Sequence, residues 1–200
     1  MAKKQRIVFL LILILMAISA CCLARIDPPA DSPSDKSYPP EFFCAAQDNP
    51  MDLQTDGNCA SYAAAYVLRS LGVQTDGEEI APEMRRIFGF VPARSIVTVL
   101  EARGLSAEAC RGDVDTLKHR LSAGTPVIVF VSIPGDTHYA VVVGYDPENL
   151  YLVDSLAENR NADDSRYNRK LTTREFERIW RTDTVLSDNI YIVADGHSRR

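Results

Sequence analysis

What this sequence lacks narrows its function early. Beyond the first few residues it has no basic block, and its net charge is -5. A nucleic-acid partner is therefore not expected. Its 5 cysteines include no Cys-x-x-Cys spacing, so nothing suggests a structural zinc site. No cofactor is expected either. Histidine occurs only 3 times, at His119, His138 and His197, so any imidazole chemistry has few places to sit. One long apolar run exists, "IVFLLILILMAI" at 7–18, too short to be a comfortable membrane span. There is no internal repeat. With 200 residues, the chain is long enough for one domain with a real core.

What is present begins with an export pattern. Lys3, Lys4 and Arg6 precede the apolar run, and small residues follow it. "ISAC" at 18–21 resembles the bacterial lipoprotein signal, in which Cys21 carries lipid and becomes the new N-terminus. A plain cut near Ala20 or Ala24 and a retained signal anchor are the alternatives. Loss of residues 1–20 removes three positive charges and no acidic residue, leaving a more acidic chain. The expectation is an exported protein of the bacterial cell envelope, held at a membrane by its N-terminus. An export compartment permits disulfides, and Cys44 with Cys110 is the candidate pair, leaving Cys59 free.

"RIDPPADSPSDKSYPP" (25–40) is rich in Pro, Ser and Asp and has no periodicity. It reads as a tether. The expected layout is a signal peptide at 1–20, a tether at 21–40, one domain at 41–196 and a tail at 197–200.

Within the domain, helices come first. "CASYAAAYVLRSLG" (59–72) places Tyr62, Ala63, Tyr66, Val67 and Leu71 on one face, and Gly72 stops it. "EEIAPEMRRIFGF" holds a short second helix. A third is expected over 95–103, with Ser95 as cap and Gly104 as stop. Asp113 caps a fourth, "VDTLKHRLSAG". After Pro126 the pattern becomes that of strands. "VIVFVSI" is a continuous β-branched run, as in a strand covered on both faces. "PGDT" is a turn, and "HYAVVVGY" and "LYLVDS" follow as strands joined through "DPEN". "TTREFERIW" is a late helix capped by Thr172 or Thr173, and "NIYIVA" closes as a strand. Helices followed by an antiparallel sheet make an α+β fold.

Three residues stand at element ends. Cys59 starts a helix, whose unpaired N–H groups and dipole stabilise a thiolate. His138 opens a strand, and Asp154 ends the next. Each of the last two is eight residues from Asp146. A loop of three or five residues centred there sets them opposite on neighbouring strands, both side chains on one face. A four-residue loop puts them on opposite faces. On one face, the carboxylate can orient the imidazole. Gln54, on the loop before Cys59, can donate to an oxyanion with the Cys59 N–H. His119 lies on a charged helix face and His197 in the tail, so His138 is the partner left for Cys59.

These stretches resemble the papain-like bacterial cysteine peptidases that process bacteriocins after a double glycine, and their free-standing relatives. The resemblance runs from about Gln54 to Trp180. It rests on "NCASYAAAYVLRSLG", the "GxPVI" entry at 124–128, "HYAVVVGYD", "LYLVDS" and "LTTREFERIW". It implies a papain-like fold, with Cys59 as nucleophile, His138 as general base and acid, Asp154 as orienting residue and Gln54 as oxyanion donor. Four positions depart from the family's pattern. Ala60 replaces a glycine, Asn58 replaces an aspartate, Gln54 lies one residue nearer the cysteine, and Ser155 replaces the proline after the aspartate. No transporter domain is evident, so coupled export of a processed peptide is not implied. The expected activity is hydrolysis of a peptide or protein. A silent peptide-binding module and a transglutaminase-like or amidase acyl transfer are the other readings of the same residues.

Overall fold

The computed structural model describes residues 28–33, 37–44, 49–55, 57–87, 89–182 and 188–196. The signal segment, Cys21 and His197 lie outside the described residues.

The first strand, β1, is short (Phe42–Phe43). Helix α1 follows at Cys59–Ser70, starting at the cysteine. Next come α2 (Gly77–Ile80), a 3-10 turn (Ala81–Glu83) and α3 (Ala93–Ala102). Strand β2 is Ser106–Arg111, and α4 is Val114–Leu121. Strands β3 (Val127–Ile133), β4 (Asp136–Tyr145), β5 (Asn149–Val153) and β6 (Arg169–Thr172) lead to α5 (Thr173–Trp180) and β7 (Ile190–Asp195).

All seven strands form one antiparallel sheet in the order β2-β7-β3-β4-β5-β6, with β1 pairing the far end of β4. Helices cover both faces. The α1 and α3 side chains pack with Ile128, Phe130, Val141, Val143, Val153 and Ile192 on one face. Leu117, Leu121, Phe176 and Trp180 pack with Val129, Val131, Val142 and Leu152 on the other. This is why β3 reads as an unbroken apolar run: its first five residues are buried.

Local signals act as read at several caps. Asp113 accepts from the Thr116 N–H at 2.7 Å. Thr172 and Glu175 form a reciprocal capping box at the start of α5. Ser95 differs from expectation. It lies inside α3, which starts at Ala93 after Pro92, and its Oγ accepts from the Arg85 N–H at 2.7 Å. Proline one step before the helix supplies the start that Ser95 was expected to make.

Three further expectations change. Strands β2 and β6 were not expected; β2 pairs with the C-terminal β7, so strands and helices interleave. Cys44, Cys59 and Cys110 are all free thiols, so the Cys44–Cys110 pair is not formed. The third concerns the described parts of the Pro-rich segment, 28–33 and 37–40, which contact the domain. At Arg111 of β2 the N–H donates to the Pro29 carbonyl at 2.9 Å, and the carbonyl accepts from the Asp31 N–H at 2.7 Å. Arg120 forks onto both Asp31 oxygens at 2.6 and 2.9 Å. Tyr145 donates to the Pro39 carbonyl at 3.0 Å.

Candidate active site

The hairpin between β4 and β5 decides where His138 points. Tyr145 pairs with Leu150, so four residues separate the last partners. That is the even spacing expected to set His138 and Asp154 on opposite faces. It does not, because β4 carries one extra residue. The register shifts between Val142 and Gly144, and Val143 is the bulge. Before the bulge Val141 pairs with Val153, and one more step brings Asp154 opposite Ala140. Two residues from Ala140 on the same face is His138. The contact is diagonal, and His138 is the third residue of its strand, with Asp136 the first.

The His138 Nε2–H donates to Asp154 Oδ1 at 2.7 Å, with both side chains buried. Cys59 stands near enough to the same ring to act on its charge. With Nε2 on the carboxylate, Nδ1 is the ring's remaining nitrogen. Burial pushes the His138 pKa down, but the Asp154 carboxylate and Cys59 outweigh it and raise it to about 9. Cys59 is half-buried at the first turn of α1. The other two described cysteines have no such setting. Burial pushes the Cys44 thiol up to about 12 and the Cys110 thiol to about 11, which keeps both protonated at neutral pH.

Asp154 is fully enclosed, yet both its oxygens are occupied. Oδ1 also accepts from the Leu156 N–H at 2.9 Å. Oδ2 accepts from Arg169 Nη1 at 2.7 Å and from Asn159 Nδ2 at 3.1 Å. Burial would raise its pKa, but His138 first, then the Leu156 N–H and Arg169, hold it below the ordinary carboxylate range. Its main chain is gripped as firmly. The Asp154 N–H donates to Asn168 Oδ1 at 2.8 Å, and Asn168 Nδ2 donates to the Asp154 carbonyl at 2.9 Å. Buried polar groups this well matched hold a single geometry.

Gln54 is tied to the residue after Asp154. Its N–H donates to the Ser155 carbonyl at 2.8 Å, and its Oε1 accepts from the Ser155 hydroxyl at 2.8 Å. The amide nitrogen is then the end left to donate elsewhere. Before Cys59, Asn58 makes no side-chain cap; its Oδ1 accepts from Arg86 Nη2 at 2.8 Å. Ala60 is buried in the core, so its methyl is accommodated under the first turn. His119 lies apart, its Nδ1 3.1 Å from the Ser37 carbonyl.

Asn159, Asn168 and Arg169 carry no signal in the sequence: Asn159 ends a short 3-10 turn, and Asn168 precedes and Arg169 opens a strand of 4 residues. Ser155 did carry one, as a departure from the family's pattern. Among the described residues, no group of three or more His, Cys, Asp or Glu could hold a metal ion.

The Peptidase_C39 like family matches residues 44–187, most of the chain and all of the site. The chain belongs to the Peptidase_C39 like family. Solved structures share the fold. The chain is similar to a putative C39-like peptidase from Bacillus anthracis at 18% identity, over 79% of this chain and 100% of that one, with a TM-score of 0.60. It is similar to the peptidase domain of Streptococcus ComA at 18% identity, over 72% and 95%, with a TM-score of 0.58. Xylellain, a cysteine protease from Xylella fastidiosa, matches at 15% identity, over 86% and 92%, with a TM-score of 0.56. No curated protein matches. The family and the papain-like α+β fold are those of cysteine peptidases.

Proposed function

We propose that this Peptidase_C39 like protein is an exported cysteine peptidase, anchored at a membrane by lipid on Cys21, that cleaves a peptide or protein of the cell envelope. One observation carries the catalytic part. A single buried imidazole, His138, is bonded to the Asp154 carboxylate and lies near Cys59 at the start of α1. Cys59 is the nucleophile. His138 takes its proton as general base. The thiolate adds to the scissile carbonyl, and the oxyanion takes hydrogen bonds from the Cys59 N–H and Gln54 Nε2. His138 then protonates the leaving amine, and water hydrolyses the thioester. A related double glycine motif protease was solved with its leader peptide bound, which supports a peptide as substrate.

The test is titration of the purified domain with a thiol-reactive peptidyl inhibitor. Stoichiometric labelling at Cys59, lost in His138→Ala, is expected. Labelling that is absent, or unchanged in His138→Ala, sinks the reading. The anchor is tested separately: labelled palmitate enters the intact chain but not Cys21→Ala.

A further inference from the structure

We propose that Ser155 is a positioning residue of the oxyanion site, holding the Gln54 carboxamide with its nitrogen toward the reacting carbonyl. The inference rests on the peptidase reading above.

A glutamine amide has two ends of similar size and opposite sense. Its last torsion is soft and roughly two-fold. On a loop, nothing in its own chain decides whether nitrogen or oxygen meets the substrate. An oxygen turned toward a developing oxyanion repels it. At Gln54 the choice is made by a neighbour 101 residues away. The Ser155 hydroxyl donates to Oε1 at 2.8 Å, and the Ser155 carbonyl holds the Gln54 N–H at 2.8 Å. Main chain and side chain are thus tied to one residue. A serine hydroxyl can donate or accept. Negative charge over Cys59 favours the orientation with nitrogen in the cleft, and the hydroxyl then satisfies the oxygen behind it. Ser155 is itself buried and rigidly based, because the preceding peptide is clamped by both ends of the Asn168 amide.

The arrangement joins two functions in one dipeptide. Asp154 orients His138, and Ser155 orients Gln54. The proline that the family's pattern places here has no hydroxyl and could not make this bond. Serine also coincides with a Gln-to-Cys spacing one residue shorter than in the family's pattern.

The experiment compares two reactions of Cys59. N-acetylglycine p-nitrophenyl ester acylates it: the C–S bond forms, the C–O bond breaks and p-nitrophenolate leaves, through an oxyanion. Iodoacetamide alkylates it by displacement of iodide, with no oxyanion. In Ser155→Ala, acylation is expected to slow ~10-fold or more, less than loss of a whole oxyanion donor, while alkylation stays within about twofold. Ser155→Thr, which keeps the hydroxyl, retains the unmodified ratio of the two rates. Adding Ser155→Ala to Gln54→Ala costs nothing further. The proposal is overturned if folded Ser155→Ala acylates normally, if both rates fall together, or if the two substitutions add. Failure of the peptidase reading looks different, since alkylation of the unmodified chain would then not depend on His138.

Discussion

Arg169 decides how a carboxylate can be buried beside a histidine that must accept charge. Asp154 is wholly enclosed and Arg169 nearly so, at 2.7 Å. Replacing Arg169 by methionine leaves that carboxylate without its cation. The expected loss is about 3–5 kcal/mol, the usual cost of breaking a buried pair, read as a fall in the urea midpoint. The same substitution lets the Asp154 charge act on His138 without compensation, so the imidazolium should hold its proton to higher pH. In the unmodified protein His138 is raised from 6.5 to about 9. Its charged form is thus favoured by folding. That contribution to stability is complete below about 6.5 and disappears as pH rises through about 9. Cleavage of a peptide, which needs the imidazolium to protonate the leaving amine, should fall on the same alkaline limb, and Arg169→Met should move the limb upward. A limb that stays in place would mean Arg169 supports the fold alone.

At the scale of elements, the bulge at Val143 sets the site. It turns an even hairpin into one that presents His138 and Asp154 together. Its neighbour Gly144 lies against Phe43 of β1, and a Cβ there would come within 2.3 Å of the ring. Phe43 is hemmed in by Tyr151 and Tyr167, with ring centroids 4.7 and 6.1 Å away. Gly144→Ala should therefore cost about 1–3 kcal/mol in chemical denaturation through overpacking. Because β1 and the bulge share this contact, the variant should also lose Cys59 reactivity in proportion to any shift in register. The capping box of α5 is a simpler case. Thr172→Ala removes one side of it and should cost about 1 kcal/mol with Cys59 reactivity unchanged.

At the scale of the whole molecule, the described residues 28–33 are held against the sheet edge at β2. Asp31 is the anchor, with Arg120 on both oxygens and the Tyr191 hydroxyl also bonded to it. The Arg120 hydrogen bond outweighs burial and lowers the Asp31 pKa. A carboxylate with lowered pKa stabilises the fold above its ordinary value of 3.8 and loses that contribution as pH falls. Asp31→Ala should cost about 1.5–3 kcal/mol near neutral pH, typical of charged hydrogen bonds, and less in acid. Thermal unfolding at pH 7 and pH 3 measures both. An equal cost at the two values would show that Asp31 acts by packing and not by charge.

Sequence alone determined the parts that are written in short range. The helix start at Cys59, the caps at Asp113 and Thr172, and the strands β3, β4 and β5 all follow from periodicity and cap chemistry over a few residues. So did the residue types at the element ends. Strand β2, "SAEACR", was lost because alanine and glutamate are poor strand formers, and β6 because it has only 4 residues. Tertiary structure alone decided the parity of the hairpin. A strand covered on both faces is apolar throughout, so "VVV" at 141–143 carries no mark of which residue is the extra one. It also decided the partners of Asp154 and Gln54. Arg169, Asn168 and Ser155 meet them only after the sheet is paired, and nothing in their own neighbourhoods in the chain records that meeting.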